Sequence, residues 1–251
     1  HFQYNGWFIF ALLALFLKGL ESCGVQFSSK CARWLLAALT LALLPTFFAN
    51  LTFFEFSPAA NGGMLATAAI QSGMTLVFLV HIFRKNSLTV LAFNGLQKFF
   101  LGFSLVCLWL KMACQVLALV PGAGSFFDLT NPYLTLGYLH LLFLGSVTTF
   151  LFWLFSKETA GRWSGKMEGA GGGIFLVGFV GSEAALFLAG LGFVLQNLPA
   201  MLFAFSVCLL AGTGILTWTF SRKGRKGAKS AKFDLADLAP LHPLRETNLQ
   251  S

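Results

Sequence analysis

Three ionisable residues sit inside long apolar runs: Lys111 in "LVCLWLKMACQVLALV", His140 in "YLTLGYLHLLFLGSVTTFLFWLF" and Glu183 in "FLVGFVGSEAALFLAG". If these runs lie in hydrocarbon, a lone ammonium or carboxylate there costs several kcal/mol, so each must face a bundle interior and find a partner, or become neutral. Counting about 1.5 Å per helical residue from the expected outer ends places all three in one broad layer. Gln71 and Gln115 fall in the same outer half. Lys111 and Glu183 then form either a structural ion pair between neighbouring helices or part of a proton or ion path. His140 is either a neutral imidazole bonded to a carbonyl or Thr hydroxyl nearby, or a ligand.

Gly137 and Gly145 flank His140 in sequence, and small residues there leave room for a flat ligand or for close helix contact. At the chain start, "HFQYNGWFIF" puts His1 toward the same membrane face, on a separate helix. Two neutral imidazoles from facing helices suit the iron of a b-type haem. Lys18 and His81 lie near the opposite helix ends, where a snorkelling anchor and a plain structural imidazole are the simpler expectations.

The chain that must position these groups is 57% hydrophobic with 30 Phe and only 10% charged residues, against about 25% in soluble domains. Its mean hydropathy is +0.76. Such a chain cannot cover its own apolar surface and is expected to be an all-α, polytopic transmembrane bundle. The period-two alternation of a membrane β-barrel is absent. Seven spans are expected, near residues 3–20, 34–53, 64–83, 99–120, 134–155, 172–195 and 200–220, each close to the ~20 residues a bilayer crossing needs. "SPAANGG", "PGAG", "TNP", "EGAGGG" and "QNLP" read as the turns between them, "EGAGGG" as a flexible hinge. The chain starts at His1 without Met, which reads as processed or truncated, with helices missing before it.

Lys and Arg set the orientation. Lys30 and Arg33, then Arg84, Lys85 and Lys98, then Lys157, Arg162 and Lys166 occupy alternate turns, and "SRKGRKGAKSAK" follows the last span. The remaining turns carry only Glu55, Asp128 or no charge. An outside N-terminus and an inside C-terminus satisfy every loop of a multi-pass membrane protein, expected here in the inner (cytoplasmic) membrane. The same distribution accounts for the net charge of +8 through anionic lipid headgroups, with no nucleic-acid partner required. Residues 1–220 read as the bundle and 221–251 as a basic, mostly disordered cytoplasmic tail, whose end "FDLADLAPLHPLRETNLQS" is loose or forms a short surface helix and is too short for a soluble catalytic domain.

The five cysteines form no CxxC or CxxCH, and Cys107 with Cys114 on one helix face reads as small-residue packing ahead of a metal pair. No Walker A, GxGxxG or HExxH signature occurs.

"HFQYNGWF" together with "YLHLLFLGSVTTFLFW" resembles segments of bacterial membrane proteins related to the haem-copper oxidase catalytic subunit and the NnrS-type haem-copper proteins. The resemblance implies a haem-binding bundle in respiration or nitric-oxide-linked electron transfer, with His1 and His140 as the ligands carried over. The copper-site patterns HxxxY and HxH are missing, so no haem-copper centre is implied for this chain alone. Two other classes stand beside it: a transporter using Lys111 and Glu183 as a coupling pair, and a non-catalytic subunit or assembly factor of a membrane complex. No catalytic residue follows from the sequence.

Overall fold

The apolar runs form helices over their described residues. The computed structural model describes residues 2–22, 29–48, 57–84, 95–122, 130–158 and 166–238, and among these the chain is helical with no strand. Helix α1 joins a π-helical Phe2–Phe8 to Ile9–Ser22; α2 is Ser29–Phe48, α3 Pro58–Arg84 and α4 Gly95–Leu119. Helix α5 runs through Pro132–His140, a π-helical Leu141–Thr148 and Thr149–Glu158, followed by α6, Lys166–Gly190, and α7, Leu198–Leu238. Among the described residues, five helices are long and apolar enough to cross a membrane: Pro58–Ile82, Gly95–Leu119, Pro132–Lys157, Met167–Gly190 and Leu198–Arg222. Two shorter apolar helices, Asn5–Gly19 and Ala32–Phe48, complete the set of seven.

Several boundaries differ from the sequence expectation, for local reasons. "SPAANGG" opens α3 instead of preceding it: Pro58 occupies the first turn, and the Ala60 N–H donates to Ser57 Oγ at 3.3 Å. Pro fits there because that turn's N–H groups have no helical acceptor. "EGAGGG" lies within α6. Two of its four glycines serve packing: a Cβ on Gly172 would lie 2.9 Å from the Phe100 ring, and one on Gly171 would lie 2.9 Å from Ile215. Helix α7 continues past Phe220 to Leu238, as a stretch rich in Lys, Arg and Ala with no Pro before Pro240 allows.

Helix α1 is wedged among its neighbours. Gly6 faces Leu43 of α2, Phe16 stacks edge-on against Phe78 of α3 at 5.8 Å, and Phe8 meets Phe143 of α5 at 5.3 Å. Near its other end Gly19 lets the Trp153 ring approach. Trp153, Phe16, Phe78 and Phe100 are among the largest fully buried side chains. Helix α7 packs along α6 at a close crossing. A Cβ on Gly178 would lie 2.8 Å from the Leu209 nitrogen, and one on Gly212 would lie 2.5 Å from the Phe175 nitrogen. The opposite face of α7, with Phe203, Val207 and Leu210, is exposed and matches an apolar solvent.

Candidate functional site

Two antiparallel helices bring the main pair together. Asn131 caps α5 by accepting from the Tyr133 N–H at 3.0 Å, and its amide donates to the Gly190 carbonyl at the end of α6 at 3.3 Å. That tie sets the register. His140 lies eight residues into α5 and Glu183 seven residues before the end of α6, about 12 and 10 Å from the tied ends. They share a depth, and His140 Nδ1 meets Glu183 Oε1 at 3.0 Å. Gly137 makes the approach possible, since a Cβ there would lie 3.2 Å from the Phe187 ring and 3.4 Å from Glu183 Oε2.

His140 is also where α5 passes from α-helix to π-helix. The wider turn is held from inside: Thr148 Oγ1 donates to the Phe143 carbonyl five residues back at 2.8 Å, and Thr149 Oγ1 to the Gly145 carbonyl. π-Helical insertions re-aim side chains and often occur at functional sites. Gly145, Ser146 and Thr149 are all buried against the neighbouring helices.

Lys111 and Glu183 occupy this layer with different partners. Lys111 is 0% exposed; its Nζ donates to Asn5 Oδ1 of α1 and stands 4.9 Å from the centre of the Tyr138 ring. The Tyr138 hydroxyl lies 3.5 Å from both Asn5 Oδ1 and Gln115 Oε1. The salt bridge found among the described residues joins Glu183 to His140, with side-chain exposures of 9% and 27%. The Lys111–Glu183 pair expected from sequence is therefore a shared layer without a direct ion pair. Asn5 and Tyr138 were not singled out from sequence. The available signal was positional: Gln115 is one turn from Lys111, and Tyr138 is two residues from His140.

Glu183 Oε2 and Gln115 Nε2 are buried without a hydrogen-bond partner. Glu183 is thus held at one oxygen, where a buried carboxyl ordinarily finds partners for both.

The surroundings of His140 fit close helix packing better than a flat ligand. A Cβ on Gly145 would meet the Phe179 ring at 2.8 Å and Cys107 Sγ at 2.9 Å, and Phe187 covers Gly137. Cys107 is thus a packing residue here. No three His, Cys, Asp or Glu side chains cluster as a metal site would among the described residues. His1 lies outside them. Gln71 is buried on α3, His81 is half-buried, and Lys18 is exposed at the far end of α1, as a snorkelling side chain would be.

Comparison with family models, with curated proteins and with solved structures gives no match. The likeness to the haem-copper oxidase and NnrS-type proteins rests on its two short stretches alone.

Proposed function

We propose that this is a multi-pass protein of the cytoplasmic membrane, with α1 and α2 completing seven spans, that moves a proton or small cation across the bilayer. His140 and Glu183 form its loading pair. The observation that carries this is the half-satisfied carboxylate: Glu183 Oε1 holds His140 while buried Oε2 has no partner. A cation or proton arriving at Oε2 supplies the missing interaction, and the partly exposed imidazole gives access to the pair. Intramembrane ionisable residues facing a bundle interior mark such paths. At the expected inner end, Lys30, Arg33 and Trp34 line an open cavity on α2, which suits anionic headgroups and the orientation drawn from the loop charges.

The test uses purified protein in proteoliposomes with an imposed membrane potential. Glu183→Gln keeps the shape of the side chain and removes its charge. Uptake is expected to fall by about tenfold or more, the equivalent of one lost buried interaction. Unchanged uptake refutes the assignment. A protein found only in a larger complex, indifferent to this substitution, is an accessory subunit.

A second function has one observation in its favour. With Nδ1 held by a carboxylate, His140 presents Nε2 in the way metal-ligating histidines do. Binding of a b-type haem, for respiratory or nitric-oxide-linked electron transfer, would use that nitrogen. A Soret band abolished by His140→Ala supports it, and colourless purified protein counts against it.

A further inference from the structure

Helix α4 carries a polar stripe. Gln97, Ser104 and Lys111 are spaced by seven residues, two helical turns, and all three are 0% exposed. Polar groups at helix interfaces in membranes often serve only to hold helices together. One bond here fits that role: Ser104 Oγ donates to the Ser146 carbonyl of α5 at 2.7 Å. It does not account for the groups left over. Ser146 Oγ, Gln115 Nε2 and Glu183 Oε2, on three different helices, are buried and have no partner. Helix adhesion gains nothing from bare polar atoms, each of which costs free energy when dry. Water bound between Ser146 and Glu183 would give both a partner, with Gln115 one turn beyond Lys111 on the outer side.

The levels follow in order from the outer ends inward. Ser104 is seven residues below Lys111 on α4, and Ser146 six below His140 on α5. The serines therefore meet about 10 Å beneath the His140–Glu183 layer, a gap that about three waters at ~2.8 Å spacing would bridge. Below the serines the rings of Phe100, Phe152 and Phe175 form a layer, with centroids 5.6 Å apart for Phe100–Phe152 and 5.2 Å for Phe152–Phe175. Beneath that layer lie Gln97, one turn from Phe100, and buried Glu168, one turn from the Gly172 that packs on Phe100.

We infer that the α4 stripe with Ser146 is a proton route from the His140–Glu183 pair toward the inner helix ends, and that the Phe100–Phe152–Phe175 layer is its gate. The inference rests on the transport function proposed above and names its cargo. A metal cation needs several oxygen ligands at every level, whereas the serine level offers two hydroxyls in a packed core. A proton needs only a file of hydrogen-bonding groups: one proton enters at the outer pair and one leaves at the inner side. Apolar constrictions of this kind close a path by excluding water.

The full chain in proteoliposomes loaded with a pH-sensitive dye, driven by a potassium diffusion potential, tests this. Ser146→Ala removes a hydroxyl that holds no side-chain partner, so the fold should survive, which an unchanged melting curve verifies. Ser146→Ala and Ser104→Ala/Ser146→Ala are expected to slow acidification by about tenfold. Ser104→Thr, which keeps the hydroxyl, retains the flux, and Phe152→Ala raises it. If the serine variants match the parent while Glu183→Gln does not, the route lies elsewhere and the inference fails alone. If Glu183→Gln also matches the parent, or the parent moves no ions, the transport function fails with it. Sodium uptake without acidification overturns the proton assignment only.

Discussion

Replacing His140 by Phe and Glu183 by Gln, singly and together, isolates the free energy of their contact. The 3.0 Å pair has side-chain exposures of 27% and 9%. It therefore falls between an exposed pair, about 0–1 kcal/mol, and an enclosed one whose breaking costs about 3–5 kcal/mol. Hydrogen bonds between membrane helices average about 0.6 kcal/mol and reach about 1.7 kcal/mol in such cycles. A carboxylate acceptor belongs in the upper part of that range, so a coupling of about 1–1.5 kcal/mol is expected. Unfolding in mixed micelles, followed by tryptophan fluorescence, gives the four stabilities the cycle needs. A parallel cycle with Lys111→Met and Glu183→Gln should give the smaller coupling, because Lys111 is held by Asn5 and Tyr138. A larger coupling for Lys111 with Glu183 than for His140 with Glu183 would refute the pairing described above.

Gly212→Val drives a Cβ toward the Phe175 nitrogen at 2.5 Å and the Gly171 carbonyl at 2.8 Å. Neither backbone atom can move aside by a rotamer change, so a loss of about 3 kcal/mol and separation of α7 from α6 are expected, read by melting temperature and by crosslinking between the two helices. Asn131→Ala removes both the Tyr133 cap and the tie to Gly190; about 1 kcal/mol of stability is lost, with faster amide exchange in the first turn of α5. Asn5→Leu deprives fully buried Lys111 of its acceptor and costs about 2–3 kcal/mol in the same unfolding assay.

Much of the layout was legible in the residues. Apolar runs of membrane length become helices because an unpaired backbone group is too costly in hydrocarbon, and that rule acts on composition alone. The placement of Lys111, His140 and Glu183 in one layer followed from rise per residue, since depth along a straight helix is a one-dimensional quantity. The boundaries at "SPAANGG" and "EGAGGG" were misread because Gly and Pro break helices in water, whereas Pro58 starts α3 and Gly171 and Gly172 are covered by α7 and α4. A breaker's meaning depends on what packs against it.

Partner choice was not legible in the same way. Lys111 and Glu183 carry opposite charges at one depth, yet Glu183 faces His140 and Lys111 faces Asn5. Which face a residue presents depends on the rotation of each helix about its axis. In a helix apolar on nearly every side the amphipathic signal that would report that rotation is weak. Here the rotation comes from contacts between helices: the Asn131–Gly190 tie, the open side of Gly137 and the π-helical turn after His140. Length and composition carried the helices and the shared level of Lys111, His140 and Glu183. Only the packing of side chain on side chain settled which groups meet, because azimuth is set by neighbours and not by the chain's own period.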